Sequence, residues 1–406
     1  MKKVMVLGAS YLQTFMIKAI KELGHYCVSV DANPTSEGFN ICDKYYVCST
    51  VDREAVLSIA KKENIDAIVT YASDVAAPTV AFVAEEMDLP TNPLRSVEIL
   101  TDKSMTRSFM ETHGFNVPKH AEASTYLEAM GKIQIIGFPA IVKPTDSSGS
   151  KGVTRINNID EVKCAFEYAM SFSRSKRVEI ESFIKRTGYQ IDADCLVADG
   201  KIVFFEPMDQ HQDPIAPFSP IGISAPSILD KKKADHAKNE LQRLISLLGM
   251  RFGNYNVEYI YDNEGRLFFL EVGPRGGGNL IPDAILAGTG LDLRQLSIRL
   301  ALGEKIDIPS ISSFRENITT FIIHSQRDGK YLGLSIAPQI EKNIIFQKVF
   351  VNYGDPIHKF TGGAYALGFC LLRFEEQEEM LTFIDNSKEY YDVITGDCLD
   401  IGKNDD

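Results

Sequence analysis

Between residues 257 and 279 the chain reads V-E-Y-I-Y-D-N-E-G-R-L-F-F-L-E-V-G-P-R-G-G-G-N. Two aromatic-rich apolar runs, 257–261 and 266–272, flank Asp262-Asn263-Glu264-Gly265, which is the pattern of a β-hairpin. With a loop of two or four residues, 261 pairs with 266, so 258 faces 269 and 271 lies one diagonal step further on. That register puts Glu258 and Glu271 on one face, about 7–8 Å apart, among Ile260, Leu267 and Phe269. Two carboxylates there are costly to bury without compensation, and a hard, oxygen-seeking cation such as Mg2+ supplies it. A solvated strand edge is the plainer alternative. Arg275 and the glycines 276–278 follow directly, and a cation beside bare backbone suits a phosphate-bearing ligand.

A chain of 406 residues is long enough for two or three packed units with separate cores. Its net charge of −12 argues against a nucleic-acid partner, which needs a basic stripe. The seven cysteines are scattered through apolar runs without a C-x-x-C pair, as reduced core thiols are. No signal-peptide core follows Met1-Lys2-Lys3 and no run approaches a membrane span. The expectation is a cytoplasmic protein with no membrane partner.

Residues 4–7 form a buried strand, Gly8-Ala9-Ser10 leads into a helix ending at Gly24, and 27–30 is the next strand, an opening βαβ unit. Only Gly8 of G-x-G-x-x-G is present, with Ser10 and Gln13 in the other glycine positions, which argues against a dinucleotide site. Further α/β alternation runs to Pro90 and Pro93. Ser73 and Asp74 stand at a strand end where such sheets bind ligands, although Asp74 also suits a helix N-cap. The helix starting at 101–103 carries Lys103 in its first turn, a position that an anionic neighbour would explain.

The strand 137–144 delivers Lys143 at its end, and Asp146-Ser147-Ser148-Gly149-Ser150-Lys151-Gly152 leads into a second strand at 153–156. The tip of this hairpin, rich in backbone N–H groups and hydroxyls, can fold over phosphates or be an ordinary turn. The strand 177–184 runs into a linker whose backbone at Glu181 and Ile184 can pair with a purine edge. Residues 203–227, with Asp209 and His211 among several prolines, are expected to form an irregular, substrate-contacting loop. Beyond about residue 310, short strands and a polar helix make a small α+β module with no evident chemistry.

Lys103, the Lys143 strand with its Ser/Gly hairpin, the segment from Glu181 to Gln190, and Glu258 with Glu271-x-x-x-Arg275 follow the order and spacing of the ATP-grasp superfamily. The whole chain resembles that family, and in layout is similar to L-amino acid ligases and to one half of a carbamoyl-phosphate synthetase large chain. The resemblance implies a mixed α/β and α+β architecture. Its parts would be a Rossmann-like pre-ATP-grasp domain (1–95), a two-lobed ATP-grasp domain (96–309, small lobe about 118–188) and a C-terminal α+β module (310–406). It implies an enzyme using ATP and Mg2+, with Mn2+ as a substitute, that joins a carboxylate to an amine through an acylphosphate. Amino acids are candidate substrates and a homodimer is a candidate assembly. Phosphorylation of bicarbonate or carbamate, and a non-catalytic ATP-binding role, are the alternatives.

Carried over by position, the resemblance implies that Lys103 and Lys143 contact ATP phosphates, with Lys143 also near the adenine. Ser147, Ser148, Gly149, Ser150 and Gly152 would close over the β- and γ-phosphates, Glu181 and Ile184 would hold the adenine, and Gln190 would meet the ribose. Glu258 and Glu271 would bind Mg2+, and Arg275, with Lys143, would stabilise the transferring phosphoryl group. Two positions depart from the family pattern. Gln190 replaces a glutamate, and Gly273 replaces the asparagine of E-x-N-x-R that helps hold a second metal ion, so the number of metals stays open. Ser73, Asp74, Asp209, His211 and Asn279 are the candidates for contacting the carboxylate and amine substrates.

Overall fold

A computed structural model describes residues 1–213, 216–308 and 313–396; Cys398 lies outside them. The chain divides into two compact units. The first comprises 1–207, 229–278 and 291–312, and the second 208–228, 279–290 and 313–406. The expected C-terminal module therefore shares its unit with two earlier pieces of chain.

The first unit opens with four parallel strands, β1 (Lys3–Leu7), β2 (Tyr26–Asp31), β3 (Lys44–Val47) and β4 (Ala67–Thr70), in the order β3-β2-β1-β4. Helix α1 (Tyr11–Glu22) connects β1 to β2, α2 (Arg53–Glu63) connects β3 to β4, and α3 (Ala77–Glu86) follows β4. Residues 4–7 of β1 are fully buried because apolar side chains cover both faces of the sheet. The Gln13 side chain crowds Gly8, where an added Cβ would meet it at 2.9 Å, and donates to the Tyr71 carbonyl. Gln13 thus packs against the turn at the position where the dinucleotide fingerprint has its third glycine.

Helices α4 (Leu94–Thr101) and α5 (Lys103–Thr112) lead to a four-stranded sheet ordered β5-β8-β6-β7. Its strands are β5 (His120–Ala123), β6 (Ala140–Pro144), β7 (Thr154–Ile156) and β8 (Val178–Ser182). Helices α6 (Tyr126–Ile136) and α7 (Val162–Phe172) cover one face of that sheet, burying Val142, Ile156, Val178 and Ile180. Alternation along β6 and β8 sends Lys143, Glu179 and Glu181 to the other face.

Next come β9 (Gln190–Ala198) and β10 (Lys201–Asp213), which begins in the first unit and ends in the second. It is followed by β11 (Ala216–Ala225), then α8 (Lys231–Leu247), β12 (Gly253–Tyr261) and β13 (Leu267–Gly273). Strand β12 lies between β13 and β9, and α8 packs Ala237, Leu241, Leu244 and Ile245 beneath them.

The hairpin register differs from the expected one. Tyr261 pairs with Leu267, not 266, so five residues form the loop. An odd loop by itself would set Glu258 opposite Leu270 and carry Glu271 into the core with Leu267 and Phe269. A register shift between Glu258 and Tyr259 adds one residue on β13, and Glu258 then faces Glu271 directly. Leu267 and Phe269 lie in the core, opposite to the face expected for them, and Val272 joins them after the bulge.

The described part of 203–225 is strand rather than irregular loop, and in the second unit β10 and β11 pair antiparallel through Asp209 and Ser224. Prolines along this stretch had masked the strand pattern. Strands β14 (Asn317–Ile323), β15 (Gly329–Ile336), β16 (Ile344–Val349), β17 (Pro356–Ile357), β18 (Gly368–Phe374) and β19 (Tyr391–Gly396) complete the unit. The orders are β11-β14-β18-β16 and β17-β15-β19, around a core that includes Phe321, Leu372 and Phe383. No helix among the described residues is long and apolar enough to cross a membrane.

Candidate active site

Three strands of the first unit share a polar face. Ile191, Ala193 and Cys195 on β9 and Val257, Tyr259 and Tyr261 on β12 face the core, so Asp192, Asp194, Asn256 and Glu258 point the other way. Glu258 pairs with Asp192 and Asn256 with Asp194 across the strands, and Gln190 Nε2 donates to Glu258 Oε2 at 2.7 Å. Asn256 Nδ2 donates to both Asp192 and Asp194, and the Gly277 N–H donates to both Asp194 oxygens at 3.0 Å. Burial, with Asp192 and Glu271 alongside, pushes the Glu258 carboxyl well above the usual range, against the pull of Arg275 and Lys103. Burial also lifts Asp194 to about 7, even though the Gly277 N–H favours its ionised form.

Two cations approach Glu271. Lys103 Nζ stands 3.4 Å from Oε2 and Arg275 Nη2 stands 3.8 Å from Oε1. Lys103 sits in the first turn of α5, behind the Asp102 N-cap, and its ammonium also donates to the Ser147 carbonyl at 2.5 Å. The loop holding Ser147, Ser148, Gly149 and Ser150 thus begins at this lysine. Gly152 closes it at φ 76°, where a Cβ would meet Pro144 at 2.8 Å, so glycine alone fits there.

On the small sheet, Glu181 accepts from Arg107 Nε and Lys143 Nζ, both at 2.7 Å. Burial alone would raise the Glu181 carboxyl, but Arg107 and Lys143 bring it down to about 2. Burial lowers the Lys143 ammonium, and the nearby charges of Arg107 and Lys103 add to this while Glu181 opposes it. Glu181 is flanked by β5 and β6 on both edges, which corrects its expected backbone exposure. The ladder with β6 extends to Phe183, whose N–H donates to the Pro139 carbonyl, and the linker follows it. Ile184, in that linker, is half-buried.

Asp74 is not a helix N-cap: that position is Ala76, and the Asp74 carboxylate instead takes Arg275 at 2.9 and 2.7 Å. Ser73, half-buried, precedes it in the same loop. A cleft of about 320 Å³ is lined by Asp74, Lys103, Arg107, Ser147 and Glu271. Asp209, His211 and Asn279 belong to the second unit. His211 is buried, not a solvated loop residue, and its ring joins Ser224 Oγ and Asp385 Oδ1 at 2.9 and 3.0 Å. Asp209 accepts from the Ser227 hydroxyl and the Ile228 N–H. Asn279 has φ 52° ahead of the helix Ile281–Thr289.

Sequence reasoning missed Arg107, Asp192, Asp194 and Asn256. Arg107 lies four residues after Lys103 on one helix, hence on the same face, and Asp192 and Asp194 alternate with apolar neighbours in a strand. Those spacings were the available signals.

Residues 102–308 match the family described as carbamoyl-phosphate synthase L chain, ATP binding domain. The chain belongs to this family. It is an ATP-grasp enzyme of the carboxylate–amine ligase type. Among its relatives, a formate-dependent phosphoribosylglycinamide formyltransferase of Bacteroides thetaiotaomicron is 25% identical over 86% of this chain and 90% of its own length. The C-terminal section of the carbamoyl phosphate synthase large chain of Aquifex aeolicus is 26% identical over 75% of this chain, which spans only 59% of that relative. The crystal structure of an L-amino acid ligase from Bacillus licheniformis shares the fold, with a TM-score of 0.83 at 19% identity over 98% of this ATP-grasp chain and 99% of that one.

Proposed function

We propose that this enzyme uses ATP and Mg2+ to activate a small-molecule carboxylate as its acylphosphate and joins it to an amine. The observation that carries the reading is the direct pairing of Glu258 with Glu271 on a polar face that Lys103 and Arg275 also reach. Burial and the Asp192 and Glu271 charges push the Glu258 carboxyl up, and a divalent cation relieves that imbalance, so the donor set fits Mg2+. Glu258 and Glu271 would hold the ion, which when bound neutralises phosphate charge.

A substrate carboxylate oxygen attacks the γ-phosphorus of ATP, the bond to the bridging oxygen breaks, and ADP leaves. The amine then attacks the acyl carbon, loses a proton, and expels phosphate. Lys103 and the loop through Ser147, Ser148, Gly149, Ser150 and Gly152 are suited to the β- and γ-phosphates, and Lys143 with Glu181 and Ile184 to the adenine side. Gln190 is suited to the ribose, and Arg275 and Lys143 to the charge of the transferring group. The segment 1–95, the ATP-grasp part 96–309 and the module from 310 remain the proposed division of labour, in a cytoplasmic homodimer.

The test is ADP formation across amino-acid pairs, with formate and bicarbonate added because relatives are named for formate and carbamoyl phosphate. Turnover that needs both a carboxylate and an amine, with a product of the condensed mass, is the expected outcome. ADP formed with bicarbonate alone would move the assignment to a carbamoyl-phosphate type of reaction. ATP binding without acceptor-dependent turnover would sink it.

A further inference from the structure

Gly273 is where the family pattern has a side chain, and the space for one is already taken. A Cβ built there would lie 2.6 Å from Asp74 Oδ1 and 3.2 Å from the Arg275 guanidinium carbon. Asp74 arrives from the loop after β4, in which Ala72 sits at φ 52°, a left-handed backbone that a residue with a Cβ adopts only where its surroundings impose it. The Asp74 and Arg275 side chains are 12% and 10% exposed, so their two-point contact is held largely away from water.

The clamp dictates where the guanidinium points. Nε and one Nη2 hydrogen go to Asp74, while Nη1 goes to Asn256 Oδ1 at 2.9 Å and to the Gly276 carbonyl at 3.3 Å. The second Nη2 hydrogen remains on the side of Glu271, 3.8 Å away. A guanidinium fixed on four of its five hydrogens has little rotational freedom left to lose when charge develops near that fifth.

We propose that Asp74 is a positioning residue for the phosphoryl-transfer centre: its carboxylate occupies the volume that a side chain at 273 would fill and fixes Arg275 beside Glu271. Positions 74 and 273 are then alternative solutions to one packing problem, and glycine at 273 is the partner of the aspartate at 74. The proposal rests on the functional reading above.

The experiment compares D74A, D74G, G273N and the exchange variant D74G/G273N in the full chain, with D74G and G273N as the single changes of the cycle. ADP formation, the affinity for a non-hydrolysable ATP analogue with Mg2+, and thermal stability are each measured. D74A is expected to lower kcat about 10- to 100-fold with the KM for ATP changed less than about threefold. G273N, forced against the carboxylate, is expected to lose more, and the exchange variant to regain at least about tenfold over G273N. If the exchange is no better than the two single changes combined, or if D74A loses stability but keeps its kcat, the proposal is overturned. Should the wild type bind the analogue yet form no ADP with any acceptor, the ligase reading fails, and coupling between 74 and 273 is read from analogue affinity instead. Non-additive affinities support the clamp, and additive ones overturn it.

Discussion

Two carboxylate sites in the first unit solve the burial of charge in opposite ways. At Glu181 one carboxylate meets two cations, Arg107 and Lys143, and its proton affinity collapses to about 2. At Glu258 the neighbours are acids, Asp192 and Glu271 with Asp194 beyond, and proton affinity rises although Lys103 and Arg275 are near. The first site finds its counter-charges within the chain. The second carries surplus negative charge on a half-buried face, which is the arrangement that recruits cations. Arg107 joins the two, since besides Glu181 it donates to the carbonyls of Phe269 and Leu270 at 3.0 and 2.7 Å, at the bulge that orients Glu271.

Breaking the balanced site should have the largest effect on stability. Arg107→Met removes one partner of a buried pair and strands Glu181 and two carbonyls, so unfolding free energy is expected to drop by about 3–5 kcal/mol. Denaturant unfolding reads this directly, and a loss under about 1 kcal/mol would erase the contrast between the sites. At the acidic site the expectation reverses. Glu271→Gln is expected to keep the fold while slowing ADP formation about 100- to 1000-fold, measured at saturating ATP.

The pH response sharpens the same contrast, with the smallest effect. Glu258 has a raised carboxyl, so the folded state holds its proton more tightly than the unfolded chain does. Its contribution is present below the ordinary glutamate range and is lost as pH rises through the raised value. Glu181 has the opposite sign: its contribution is present above the ordinary range and is lost only as pH falls toward about 2. Without divalent cations, the wild type should therefore melt at progressively lower temperature from pH 5 to pH 8. Glu258→Gln should make that slope shallower, with Asp194 and Glu206, raised to about 7 and about 8 by burial, keeping the remainder, and an unchanged slope would show that the surplus charge is not felt at Glu258.

Much of this layout was legible in the chain. Short apolar runs bounded by Gly and Pro marked the strands carrying Lys143, Glu181, Glu258 and Glu271, because burial of alternate residues leaves a pattern in one dimension. The register was not legible, since an odd loop and a bulge cancel and neither has a composition of its own. Strands β10 and β11 were hidden by prolines, which count against a strand locally but are tolerated where a sheet is irregular, as the shifts after His211 show. Arg107, and the pairing of the substrate candidate Asp74 with Arg275, escaped for a different reason: each contact reaches a partner more than 70 positions away, Glu181 for Arg107 and Arg275 for Asp74, and no local window contains both.

The paired irregularities of the hairpin also constrain how its length can vary. Adding or removing a single residue in the 262–266 turn flips which side of the ribbon Glu271 occupies, sending an acid into the layer of Leu267 and Phe269. Changes of two residues preserve the acid's side, as does one change in the turn matched by loss of the extra residue near 270. Viable descendants of this chain are thus confined to one combined parity of turn and bulge, and a survey of functional variants should find even turn steps tolerated and odd ones only where the bulge residue is lost with them.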